Sequence, residues 1–306
     1  LTYRRRPQPV SNPLLGHDTR LAPKSKTARA QAISAVRAGT RCLGTVGVDE
    51  SRLEREVESI LALELHPCDD AVGDWRLRTL WKSYGAAAEP AEAATRRALP
   101  YLDELIARAF RTEHITLVRV FTASRGGFIR PHRDWTGAAR VFTRFHVPLR
   151  TNDRAFNSED DVVFHMRVGE IWFLDGARPH SGGCFADAPR VHLVIDFDPE
   201  VPVEALFAPG VTRCEREPSP VGRAPLTDDD LAAIRDLSAV ATDANSGAIL
   251  NLLGALHFER HTSCSAAYER LIEIARAADS AQLLERAERL RDAYLGSPSE
   301  RAGLLA

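Results

Sequence analysis

The sequence predicts an α+β chain with a β-barrel or jelly-roll core, flanked by N-terminal helices and followed by a C-terminal helical domain. Three observations carry this. Apolar residues recur at helical spacing before residue 110, short β-branched and aromatic runs fill the middle of the chain, and helical stripes return after a proline-rich break. Residues 1–38 hold Arg4, Arg5, Arg6, Lys24 and Lys26 among Pro, Ser and Thr with no sustained apolar period, which reads as a flexible extension. Leu53, Val57, Ile60 and Leu61 form one helical stripe, and Leu102, Leu105, Ile106 and Phe110 form a second; both are expected to pack on one face of a sheet.

The period then changes. ITLVRVF from Ile115, RVFTRFHVPL, DVVFHMRV, EIWFLD and VHLVIDF are strand-like, with Arg125-Gly126-Gly127 and Asn152-Asp153 read as turns between them. The central barrel domain so defined spans 39–215, and EPSPVGRAPL marks a boundary after it. Thr227, followed by Asp228, Asp229 and Asp230, caps the first helix of a domain spanning 227–306. Leu231, Ile234 and Leu237, then Ile249, Leu252, Leu253 and Leu256, then Leu271, Ile272 and Ile274, then Leu283, Leu284 and Leu290 give it about four helices.

Composition narrows the function. A net charge of -2 over 306 residues gives no electrostatic reason to expect a nucleic-acid partner. Apolar stretches are interrupted by charge well short of a membrane span, no signal pattern opens the chain, and the expected location is cytoplasmic. Five widely spaced cysteines without a C-x-x-C pair argue against a disulfide framework and a structural zinc cluster.

The chemistry concentrates in Pro131-His132-Arg133-Asp134-Trp135. In a strand, an H-x-D triple puts His132 and Asp134 on one face. His180 follows the strand EIWFLD, where a barrel strand ends and its loop begins, and supplies a third ligand. Two histidines and one carboxylate on one face of an octahedron leave three positions open, the arrangement of non-haem iron(II) oxygenases. If 2-oxoglutarate takes two of them and O2 the third, the far carboxylate of the cosubstrate needs a buried cation. Arg190, ten positions after His180 and opening VHLVIDF, is placed to supply it. Arg144 and His146 alternate onto one strand face and suit an anion.

PHRDW, FNSEDDVVFHMRVGEIWFLD, the distal His180 and PRVHLVIDF together resemble the bacterial L-proline 3-hydroxylases, within the broader aspartyl/asparaginyl β-hydroxylase-like oxygenases. The resemblance starts near TRCLGTVGVDESRLE and extends through LTDDDLAAIRDLSAV and ERAERLRDAYLG, covering roughly residues 39 to 297. It implies a double-stranded β-helix core, Fe(II), 2-oxoglutarate and O2, with ascorbate as reductant in vitro. It also implies hydroxylation, at C3, of a free L-imino or amino acid such as L-proline or L-pipecolate, as a building block for secondary metabolites such as antibiotics. By the same resemblance His132, Asp134 and His180 match the iron ligands, Arg190 the cosubstrate arginine, and Arg144 and His146 an R-x-H strand facing the cosubstrate. A zwitterionic substrate further requires a cation and an acceptor. Arg119 is the candidate for its carboxylate, with Arg130 and Arg133 as competitors, Asp160 and Asp161 as acceptors, and Trp135 and Trp172 as pocket walls.

The alternatives to this reading are hydroxylation of lysine, leucine or a peptide- or carrier-bound residue, a non-catalytic cupin-like binding protein, and a zinc hydrolase using His257 and His261. In the last, Glu259 of H-F-E-R-H falls on the wrong side of a helix. H-R-D also marks the protein kinase catalytic loop, but no D-F-G follows. The C-terminal helices offer either a lid on the pocket or a docking face for a second copy, a homodimer.

Overall fold

The computed structural model describes residues 39–82, 90–134 and 142–296. The expected extension, residues 1–38, and Trp135 lie outside them. In chain order, the elements begin with β1 (Arg41–Val46), α1 (Glu50–Leu61), β2 (His66–Pro67), β3 (Ala71–Lys82), α2 (Pro90–Ala98) and α3 (Pro100–Ala109). The barrel strands follow: β4 (Ile115–His132), β5 (Thr143–Arg150), β6 (Ala155–Glu159), β7 (Val162–Phe164), β8 (Glu170–Leu174), β9 (His180–Cys184), β10 (Arg190–Phe197) and β11 (Val211–Arg216). The last described elements are β12 (Ala224–Pro225), α4 (Asp228–Asp236), α5 (Ser246–Leu256), β13 (Arg260–His261), α6 (Ala266–Ala277) and α7 (Ala281–Leu295).

One antiparallel sheet of 11 strands curls on itself in the order β11-β1-β8-β5-β10-β4-β9-β6-β7, with β3 and β2 alongside β4. The expected jelly-roll core is therefore present as a curled half-barrel. Its closure depends on β4, which pairs with β3 from Leu117 to Ile129 on one edge and, on the other, with β10 in its first half and β9 in its last. Arg125-Gly126-Gly127, read as a turn in the sequence, lies inside that strand. It is a bulge: Arg125 and Gly126 have φ of 51° and 79°, and the β3 register slips opposite. A Cβ on Gly127 would stand 2.4 Å from the Asp74 carbonyl oxygen, so the two backbones approach as only glycine permits.

Period-two alternation separates the two faces of β10. Val191, Leu193, Ile195 and Phe197 point outward into a core shared with Leu53, Val57 and Ile60 of α1 and Leu102, Leu105 and Ile106 of α3. The two sequence-predicted helices thus cover one sheet face as expected. Asp49 caps α1 through the Arg52 N–H, and the buried Glu56 carboxylate accepts from the Tyr101 and Leu102 N–H groups at 3.0 and 3.2 Å, at the positive end of α3. The other face of β10, with Arg190, His192, Val194 and Asp196, is left for the interior.

After β11 the chain forms four helices around Ile249, Leu253, Tyr268, Leu271, Ile272 and Ala287. Thr227 and Asp230 make a reciprocal capping box at the start of α4, where the sequence placed a cap. The predicted stripes of α4 and α5 are less deeply set. No residue of α4 is buried, and Leu252 is 64% exposed, because Ile249 and Leu253 are the pair that meets α6 and α7. No helix among the described residues is long and apolar enough to cross a membrane.

Candidate metal and cosubstrate site

His132 ends β4 and His180 opens β9, directly opposite each other in the register, which holds their rings 4.3 Å apart between centroids. Asp134 follows two residues beyond His132 and is pinned by its N–H to the Gly176 carbonyl at 2.8 Å. The ligand atoms of the three side chains lie within 4.8 Å of one another. His132 Nε2 is 3.4 Å from Asp134 Oδ1, and His180 Nε2 is 3.7 Å from Oδ2. In each imidazole Nδ1 meets a backbone carbonyl two residues back, Arg130 at 2.8 Å and Arg178 at 2.9 Å. A carbonyl can only accept, so Nδ1 carries a proton in each ring and both Nε2 atoms face the carboxylate. Burial, with His132 adding to it, pushes His180 down to about 4. Burial acts to raise Asp134, yet Arg144 and the two histidines hold it well below the usual carboxylate range. Two imidazoles and a fixed carboxylate form a donor set that suits a divalent metal such as iron(II). A Cβ on Gly176 would stand 2.7 Å from that of Asp134, so the loop before β9 is shaped to this ligand.

Arg190 lies deeper, at 2% exposure. Its Nη1 donates to the Phe156 carbonyl at 2.8 Å, and its Nη2 to Asn157 Oδ1 and His192 Nδ1, both at 3.1 Å. All of these acceptors are neutral, and burial pushes the guanidinium down to about 10. The small Gly182 makes room for it, since a Cβ there would stand 3.1 Å from Nη1. Nearby, both ring nitrogens of His146 are buried and meet no hydrogen-bond partner among the described residues. Burial, then Arg144 and Arg190, hold its imidazole well below the ordinary histidine value, so it is neutral. An uncompensated cation and an unpartnered imidazole beside the triad fit a dianion such as 2-oxoglutarate, which would supply what both lack.

The remaining sequence candidates are placed differently. Arg144 is 8% exposed; its Nη1 donates to Asp134 Oδ2, while Nε and Nη2 reach Asp196 at 2.7 and 3.0 Å. Arg119 is paired with the same Asp196 at 2.7 Å, and its own Nε is unpartnered. The interior therefore holds a chain Asp134–Arg144–Asp196–Arg119, two carboxylates alternating with two guanidiniums. Asp196 and His192 were not singled out in the sequence, although both share the parity of Arg190 on β10. Trp172 sits opposite His146 in the β5–β8 register, with its ring against Phe164 and its Nε1 donating to Glu170 at 2.8 Å. Arg130 is held by Asn251 and Tyr294, and Arg133 by the Ala177 carbonyl. Asp160 is paired with Arg178, and the Asp161 carbonyl accepts from Arg223. His257 is no helix neighbour of His261: it caps the end of α5, and His261 stands in β13.

Comparison with known proteins follows the same outline. A family model described as aspartyl/asparaginyl beta-hydroxylase matches residues 49–199, and one described as L-proline 3-hydroxylase, C-terminal, matches residues 203–301. The L-proline cis-4-hydroxylase of Rhizobium meliloti (strain 1021) is 34% identical over 272 residues, covering 84% of this chain and 96% of that protein. L-proline cis-3-hydroxylase 1 of a Streptomyces species is 30% identical over 276 residues, covering 83% of this chain and 94% of that one.

Proposed function

Because this chain belongs to the L-proline hydroxylase family of aspartyl/asparaginyl β-hydroxylase-like oxygenases, we propose that it hydroxylates a ring carbon of a free L-imino acid, L-proline or L-pipecolate. It is an iron(II)- and 2-oxoglutarate-dependent amino-acid hydroxylase. The observation that carries the site assignment is the buried, uncompensated Arg190 beside three ligands that converge from β4, the segment after it, and β9.

On this reading His132, Asp134 and His180 hold the metal and Arg190 takes the far carboxylate of the cosubstrate. Bound together, iron(II) and 2-oxoglutarate supply the oxidising power, decarboxylation to succinate being coupled to insertion of one oxygen atom of O2 into a C–H bond. The protein's part is placement. The Arg130 and Arg178 carbonyls keep the Nδ1 protons in place, so each histidine turns its Nε2 toward the metal position. Arg144 keeps Asp134 ionised and turned toward the histidines. His146, held neutral by burial, offers the cosubstrate a hydrogen bond without adding charge.

The substrate reading rests on charge matching. A free imino acid is a zwitterion, and burying it demands a cation for its carboxylate and an acceptor for its nitrogen. The Arg119–Asp196–Arg144 chain offers both signs within one buried network. Arg119, with its unpartnered Nε, is the candidate for the substrate carboxylate, and Asp196 replaces Asp160 and Asp161 as the acceptor. The family resemblance implies C3; the two relatives are named for C4 and C3. Purified protein incubated with Fe(II), 2-oxoglutarate, ascorbate and a panel of free L-amino acids is expected to add one oxygen to proline or pipecolate, with product position read by comparison with the 3- and 4-hydroxy standards. Oxidation of a peptide-bound residue, with every free amino acid untouched, would overturn the substrate assignment and leave the reaction class standing.

A further inference from the structure

The segment 130–134 is where β4 leaves the sheet. Its pairing with β3 ends at Ile129, and its register against β9 slips between Ile129 and His132. Backbone groups that lose a ladder must be satisfied elsewhere, and here the C-terminal helices take over. The buried hydroxyl of Tyr268, on α6, donates to the Pro131 carbonyl at 2.7 Å. The Arg133 N–H donates to the Tyr294 carbonyl, on α7, at 2.9 Å. These two bonds hold the peptide units on either side of His132, the Pro131–His132 peptide through its carbonyl and the His132–Arg133 peptide through its N–H. With the φ of Pro131 limited by its ring, they set the direction in which the His132 side chain leaves the backbone.

A second layer of bonds secures Arg130, whose carbonyl fixes the His132 tautomer. Its Nε donates to Asn251 Oδ1 on α5 at 2.9 Å and its Nη1 to the Tyr294 hydroxyl at 3.2 Å, while that hydroxyl donates to Asp70 at 3.0 Å. Gly254 of α5 lies against the same segment: a Cβ there would be 3.3 Å from the Phe128 ring and 3.6 Å from Pro131 Cδ.

We infer that the C-terminal helical unit is part of the metal site, with Tyr268 and Tyr294 as positioning residues that aim His132 and Asp134. This rests on the reading of His132 and Asp134 as ligands. Apolar packing alone would bury the helices without directing the carbonyl of Pro131; the hydroxyl bond directs it. Loss of such a bond behind a ligand is felt as weaker metal binding.

The test is Co(II) binding to the full-length chain, followed by visible absorption, in Tyr268→Phe, Ile274→Val and His132→Ala. Ile274 is buried on the same helix within the core of the helical unit, so its truncation lowers stability without touching the ligand segment. Tyr268→Phe is expected to weaken Co(II) binding roughly tenfold and to alter the absorption spectrum. Ile274→Val, with a comparable drop in Tm, should bind as wild type does. Unchanged affinity in Tyr268→Phe, or equal weakening in Ile274→Val, would overturn the inference. His132→Ala separates the two readings: it should abolish binding, and wild-type binding in that variant would instead refute the ligand assignment beneath it.

Discussion

Arg190 is a buried cation whose hydrogen-bond acceptors among the described residues are all neutral. Its terminal N–H groups go to a carbonyl, an amide oxygen and an imidazole nitrogen, none of which cancels its charge. A charged hydrogen bond to a carboxylate contributes about 1.5–3 kcal/mol, so Arg190→Ala is expected to weaken 2-oxoglutarate binding roughly 10- to 100-fold. Arg190→Lys should recover part of this, because an ammonium cannot reproduce a two-pronged guanidinium contact. Calorimetric titration of the metal-loaded protein with 2-oxoglutarate checks it, and an unchanged Kd in the alanine variant would move the anchoring role elsewhere. The triad was legible because part of its spacing is local: H-x-D brings two of its three residues together where β4 ends, although Asp134 lies beyond the strand and not on its face. Asp196 was not, since its meaning depends on which strands flank β10. Only the register that sets Val194 opposite Arg119 and Asp196 opposite Arg144 turns an ordinary strand aspartate into the hub between two arginines.

Elements were read best where period and capping agree. The α1 and α3 stripes and the Thr227 cap are formed by contacts within a few residues, and the structure contains them. β9 is the opposite case. His-Ser-Gly-Gly-Cys has poor strand propensity, yet it is paired on both sides, by β4 and β6. Its glycines serve close approach: a Cβ on Gly183 would stand 2.9 Å from that of Phe128. The junction of α5 with β6 carries a further consequence. His257, at the end of α5, donates from Nδ1 to the Gly254 carbonyl at 2.7 Å, so its Nε2 accepts the Ser158 hydroxyl at 2.9 Å. Burial pushes this histidine from 6.5 down to about 3. The folded state therefore binds the proton less readily than the unfolded chain, and stability complete above pH 6.5 is lost as pH falls toward 3. Denaturant midpoints measured between pH 7.5 and 4, values chosen to span this window, should fall less steeply in His257→Gln than in wild type. Parallel curves would show that His257 does not contribute to acid sensitivity.

At the scale of the whole molecule, the sheet and the C-terminal helices share surfaces as well as a chain. Phe258 packs against Phe128, Phe156 and Phe185 of the barrel, and Arg223 donates to the carbonyls of Arg260 and Thr262 while also reaching that of Asp161. We propose that the unit boundary falls in the proline-rich stretch before Thr227, and that it is not a line along which the protein can be cut. Truncation after Gly222 would bare the aromatic face of the barrel, and the expected outcome is insoluble protein, judged by partition after expression. A soluble, active truncation would contradict this. The proline-rich break was visible in the sequence because prolines act locally; the dependence of the barrel on the helices beyond it was not, because the bonds of Tyr268 to Pro131 and of Tyr294 to Asp70 join residues 137 and 224 positions apart.

The account's central claim is that the buried triad, Arg190 and the interior charge network form one site that couples 2-oxoglutarate oxidation to hydroxylation of a free imino acid. The most direct measurement supplies oxygen as heavy-isotope O2 and follows succinate and hydroxylated product together by mass spectrometry. The predicted result is equal amounts of succinate and hydroxylated proline or pipecolate, one heavy atom in each, and neither product from His180→Ala. Binding of the imino acid with no succinate released, or label absent from the hydroxylated product, would contradict it.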